Sequence, residues 1–276
     1  MGETDQASFE KETMPFVAPC RTLSPLAPFR WLRMGVEDLR RAPRESMLYG
    51  LIMAAIMAIV SLFAWVYGTH WLMLAMLGGF VFIAPLTCIG LYAISAQLER
   101  DQPVSLIRTL RAAFKRHLGN EMVFAVALLI LFLVWARAGT MVSVFIPQSG
   151  NPEFADLVTY LSVGSVVGAV FALVTFSASA FSLPMIMHRD VDSITAIVTS
   201  INAVLRNKRA MLVWLSLIVT GLLIGLLTAF IGLIVILPVI GFGVWHGYLE
   251  TIDADAFPRH SVGITSVPRT HTQTQS

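Results

Sequence analysis

The residues best suited to chemistry in this chain are few. His246 lies in VWHGYLE, between Trp245 and Tyr248. An imidazole titrates near neutrality and ligates metals, so here it is a candidate proton relay or a metal or haem ligand. The same residue between two amphipathic rings also fits an aromatic belt at a membrane interface. His188 opens a polar cluster, HRDVD at 188–192. That cluster could gate or bind a solute, or end one helix and cap the next, since Asp190 and Asp192 precede Ser193. Arg137 follows 15 uncharged residues, Met122 to Ala136. A charge within a membrane span is a functional candidate, although one near a span's end reaches the head groups by snorkelling. Ser177, Ser179, Ser182 and Thr220 offer hydroxyls for a polar path, or for bonds to their own helix backbone. No paired nucleophile and base, phosphate loop or Cys-x-x-Cys motif accompanies them. No catalytic residue, cofactor or metal site is therefore assigned, and a non-enzymatic protein is expected.

The elements that must position these residues are membrane helices. Of the 276 residues, 56% are apolar and only 13% charged. Soluble domains carry about 25% charged residues. A crossing needs roughly 20 apolar residues. Charge-free runs give spans at about 47–67, 71–97, 122–146 (interrupted only by Arg137) and 157–187. The run Ala210–Leu249 has no Asp, Glu, Lys or Arg over 40 residues. A continuous helix of that length would extend about 60 Å, twice the hydrocarbon thickness. It divides into spans at about 210–229 and 231–249, with the turn near Thr228–Gly232. The fold class is all-α: six transmembrane helices in three hairpins. The polar segments 1–28 and 253–276 are expected to be disordered cytoplasmic tails around a membrane domain at 29–252. No disulfide is expected between Cys20 and Cys88.

Charge sets the orientation. All of the 19 Lys and Arg except Arg137 fall in the N-terminal region, the C-terminal tail and the loops after the second and fourth spans. The positive-inside rule then predicts cytoplasmic N and C termini. Each odd-numbered span also follows a basic amphipathic segment. The apolar positions are Phe29, Leu32, Val36 and Leu39; Leu106, Leu110, Phe114 and Leu118; and Ile194, Ile197, Ile201 and Val204. Such helices are expected to lie on the leaflet, with their basic residues among anionic head groups. The even spans share a proline, at Pro85, Pro184 and Pro238. Together these features suggest three units, each an interfacial helix followed by a hairpin. Gly164/Gly168, Gly221/Gly225 and Gly243/Gly247 are expected to be packing sites between helices. The lipid bilayer and other membrane proteins are the expected partners; nucleic acid is not.

The segments LAPFRWLRMGVEDLRRAPRESMLYGL at 26–51, FIAPLTCIGLYAISAQLERDQPVSL at 82–106 and IGLIVILPVIGFGVWHGYLETI at 231–252 resemble a family of predicted bacterial integral membrane proteins with no assigned function. The most specific part is Pro238, Gly241, Trp245, His246 and Tyr248. Relatives often have a second histidine where Phe242 stands and an arginine where Leu249 stands. The resemblance implies a six-span protein of a bacterial inner membrane. Some members are labelled oxidase subunit I. The other histidines here, His70, His117, His188, His260 and His271, lie outside the middle of any span and lend that label no support. The expected role is a non-enzymatic accessory or organising component of a membrane assembly. The alternative is a small-solute or lipid transporter, since transporters often bind substrate beside interrupted helices.

Overall fold

A computed structural model describes residues 15–68, 79, 81–102, 104, 119–142 and 154–258. These residues form helices α1 (Ala27–Arg41), α2 (Pro43–Tyr67), α3 (Val81–Glu99, with a turn at Cys88), α4 (Gly119–Val142), α5 (Phe154–Ser179), α6 (Ser182–His188), α7 (Ser193–Arg206), α8 (Lys208–Leu227) and α9 (Leu233–Thr251). Six stretches are long and apolar enough to cross a membrane: α2, α3, α4, the α5–α6 pair, α8 and α9. The six predicted spans are therefore present, each within a few residues of its expected bounds where described. Residues 71–78 of the second span and 143–146 of the third lie outside the described residues. So does the basic segment around Leu106–Leu118.

Helix α9 is the hub. Of its most apolar stretch 56% is buried, against 11% for α4. It packs along α1, α2, α3 and α8. Glycines permit these approaches. A Cβ at Gly35 of α1 would collide with the carbonyl oxygen of Val239, and one at Gly50 of α2 with that of Ile234. The obstacle is backbone in both cases, so neither helix can yield by turning a rotamer. Gly35→Ala should therefore lower stability by about 1–3 kcal/mol, despite alanine's better helix propensity. Gly139→Ala on α4, where a Cβ meets nothing within 4 Å, should be neutral or stabilising. Thermal unfolding of both variants in detergent checks the pair.

Helix α1 differs from its expected role. Its buried face is Ala27, Trp31, Gly35 and Asp38, pressed against α9. Phe29 is exposed, and Leu32, Val36 and Leu39 are only partly covered. The expected apolar stripe is thus the flank of a helix docked on protein. The Trp31–Gly35–Asp38 spacing of four and three residues defines the docked face. Pro43 disfavours helical geometry at the preceding residue. Ala42 accordingly turns to φ −131°, and α2 starts afresh with Pro43 in its first turn.

The predicted fourth span is two helices. Pro184 has no N–H to give to the preceding turn, and the chain breaks at Ala180–Phe181. Ser200 of α7 bridges the break: it accepts from Phe181 N–H at 3.1 Å and donates to the Ser177 carbonyl at 2.8 Å. Helix α7 thus turns its small, polar face inward, through Ala196, Thr199, Ser200 and Ala203. Ile194 points outward and Ile197 and Ile201 are half-buried; of the expected stripe, only Val204 is buried. Asp192 caps α7, accepting from Thr195 N–H at 2.9 Å. Partial burial opposes ionisation of its carboxyl, but hydrogen bonds from Thr195 and from the backbone of Ile194 and Asp192 together hold the pKa below the usual carboxylate range.

The α8–α9 turn falls at 228–232, as predicted. Ala229 and Phe230 take left-handed backbone angles, φ 49° and 69°, and the Thr228 hydroxyl accepts from Gly232 N–H at 2.9 Å. Two of the three glycine pairs serve packing. Gly221 and Gly225 face α9, and Gly243 and Gly247 face Trp214, Trp31 and Phe181. Gly164 and Gly168 do not: among the described residues, only Val142 comes within 4 Å of a Cβ placed at either.

The tails are corrected in part. Residues 15–26 form an ordered strap, not a disordered segment. Cys20 bridges Ile252, Arg21 N–H donates to the Thr251 carbonyl and Asp253 N–H to that of Pro19. Beyond α9, Ala254 and Phe257 are buried and Asp190 N–H donates to the Pro258 carbonyl. The reason is tertiary: backbone bonds between the two ends of the chain, with Ala18, Cys20, Ala254 and Phe257 buried, hold segments whose composition reads as polar. Residues 1–14 and 259–276 lie outside the described residues.

Candidate functional site

Around the C-terminal end of α9 the fold gathers polar side chains into an apolar core. Asp38 of α1 and His246 of α9 form a buried pair, Nε2 to Oδ2 at 2.8 Å, with side chains 7% and 13% exposed. The Ser95 hydroxyl of α3 donates to the same Asp38 oxygen. Three helices therefore meet at one carboxylate. The pairing can hold a proton between carboxylate and imidazole. It does not make Ser95 a nucleophile: in a hydrolytic triad the imidazole stands between hydroxyl and carboxylate, whereas here the carboxylate stands between hydroxyl and imidazole.

Adjacent turns of α9 extend the network. Trp245 Nε1–H donates to Glu99 at 3.3 Å, and Trp31 Nε1–H to Glu250 at 2.9 Å, where Arg30 also pairs. His188 Nδ1 lies 3.0 Å from the Tyr248 hydroxyl, its ring edge-on to Trp245 and Tyr248. Arg189 is buried and ties down the segment after α9, through Asp255 at 2.7 Å and the Phe257 carbonyl at 2.9 Å. Below them lies the aromatic core. Trp31 meets Trp214 and Phe181 edge-on, with ring centroids 5.4 and 6.2 Å apart. The strap closes the layer with the Cys20 thiol, whose pKa burial raises against the opposing effects of Arg206 and Asn202.

Of the three candidates read from sequence, His246 and His188 come to this end of α9, each with its own partner. Arg137 does not: it is exposed on α4 and donates to Thr140, one turn along its own helix. Trp245 and Tyr248 are 2% and 1% exposed, so they are core residues and His246 does not stand in an interfacial belt. The hydroxyls of Ser177, Ser179 and Ser182 bond to carbonyls four residues back on their own chain. Asp38 and Ser95 escaped the sequence reading. Asp38 was one of many charges in a basic helix, and the signal that could have found it is its place on the same face as Trp31 and Gly35. Among the described residues no three His, Cys, Asp or Glu are grouped to hold a metal ion.

Residues 72–188 match a family described as predicted integral membrane protein, DUF2189. The match spans α3 to α6 and includes the whole of the second resembling segment, 82–106. The segments at 26–51 and 231–252 lie outside it. No curated protein and no solved structure matched the chain.

Proposed function

From a six-span integral membrane protein with a DUF2189 segment at its centre, we propose a non-enzymatic inner-membrane component that accompanies or organises a larger assembly, with both termini cytoplasmic. The charge asymmetry of the loops supports that orientation. The observation that carries the role is a contrast within the fold. One end is sealed by aromatic packing and a polar network, while the spans present open apolar sides. Only 11% of α4 and 22% of α2 is buried in their most apolar stretches, and among the described residues only Val142 comes within 4 Å of a Cβ placed on the Gly164/Gly168 face of α5. Small residues at four-residue spacing allow close approach of a further helix.

Cross-linking in the native membrane, followed by purification in mild detergent, tests the role. Co-purification of another membrane protein through α4 or α5 is expected; recovery of the protein alone counts against it. Transport is the second reading, favoured by Pro238 within α9 and by the buried Asp38–His246 pair, since ionisable groups within membrane domains mark ion paths. Robust solute flux in proteoliposomes containing only this protein would favour transport and sink the accessory role.

A further inference from the structure

We propose that the groove at the α7–α8 elbow binds the phosphate head group of an anionic phospholipid. The proposal rests on membrane insertion of α8 and not on the assembly role. The groove has an open volume of about 470 Å³. The strap forms one wall with Thr22 and Leu23, and the elbow forms the other with Arg206, Lys208 and Arg209. No acidic side chain lines it.

The cations are uncommitted. Among the described residues Arg206, Lys208 and Arg209 join no ion pair, whereas Arg21, Arg30, Arg41 and Arg189 all do. The elbow itself is fixed. Asn207 accepts from Leu23 N–H at 2.8 Å and donates to the Arg21 carbonyl at 3.0 Å. Both walls therefore keep their spacing whether or not a ligand is present. Position selects a lipid. The charge-free run begins at Ala210, immediately after the three cations, so they stand at head-group level. Leu205 and Leu212, 57% and 65% exposed, flank them as apolar surface for acyl chains. A phosphate among three cations with its chains along α8 satisfies both halves of the site, while a free anion would leave the leucines uncovered.

Delipidated full-length protein in mild detergent, titrated with phosphatidylglycerol and followed by native mass spectrometry, tests this. Saturable binding of about one lipid is expected, with phosphatidylcholine binding far more weakly. Arg206→Gln/Lys208→Gln/Arg209→Gln should weaken binding roughly a hundredfold, from the electrostatic contribution of each basic residue. A control with the same charge loss on α1 and the first turn of α2, Arg33→Gln/Arg40→Gln/Arg44→Gln, should retain it. Equal loss in both triples would mean diffuse attraction and overturn the site. Equal binding of phosphatidylcholine, or displacement by inorganic phosphate at matching concentration, would overturn the lipid assignment. A thermal midpoint for each triple confirms that folded proteins are compared.

Discussion

Trp31→Ala is expected to destabilise the protein by about 3–5 kcal/mol, the range for removing a large aromatic from a core. Trp31 is fully buried and lies where four elements converge. Its ring meets Phe181 beside the α5–α6 break, Trp214 of α8 and Gly247 of α9. Its indole N–H is committed to Glu250. Those neighbours are themselves bulky and locked against one another, so the vacated space cannot close. Trp31→Phe keeps a ring in place and should cost less. The measurement is denaturation in detergent, read by the loss of helical signal. If Trp31→Ala matched wild type, α1 would be a helix resting on lipid, as its sequence suggested, and not a docked part of the fold.

Asp38→Ala should rank with it. Removing one member of a buried pair typically costs about 3–5 kcal/mol, because the remaining group loses its partner away from water. Here two groups are stranded, His246 and Ser95. Asp38→Asn keeps an acceptor oxygen in place and should lose roughly 1–3 kcal/mol. The informative comparison is the double variant Asp38→Leu/His246→Phe. Replacing a buried ion pair by apolar groups is often neutral or stabilising, so the double variant should be more stable than Asp38→Ala. If the double variant loses as much as Asp38→Leu and His246→Phe made singly and added together, the pair is uncoupled and the geometry is wrong.

The membrane helices were legible because length and charge decide them. A 40-residue charge-free run cannot be one crossing, and the turn at 228–232 sits where the run had to divide. Tertiary facts were less legible. The stripe Phe29–Leu32–Val36–Leu39 is real at helical spacing, yet Trp31, Gly35 and Asp38 form a second stripe on the same helix. Periodicity alone cannot say which stripe meets protein and which meets lipid, since both neighbours are apolar. Helix α7 shows the same ambiguity from the other side: its inward face is small and polar because it repairs a broken backbone at Phe181. Nothing in a window around Ser200 announces that break, which lies 19 residues upstream. Asp38 and His246 lie 208 residues apart, and no local pattern joins them. The strap was missed for a related reason. Its polar composition reads as disorder, but its order comes from backbone bonds to Thr251 and Asp253 at the far end of the chain.

The docking of α1 on α9 also bears on how the protein is made. The first of the described helices packs on the last of them, so Trp31 and Asp38 leave the ribosome long before their partners exist. At roughly 5–20 residues per second, the 208 residues separating Asp38 from His246 take roughly 10–40 seconds to synthesise. During that interval a buried-type tryptophan and an unpaired carboxylate stay uncovered, and the strap has no edge to join. Insertion of the final helix is therefore the step that completes the structure. A chain stalled or truncated before residue 233 would have most of its spans in the membrane and none of its closed end, and quality-control proteases would meet it as an unfinished protein.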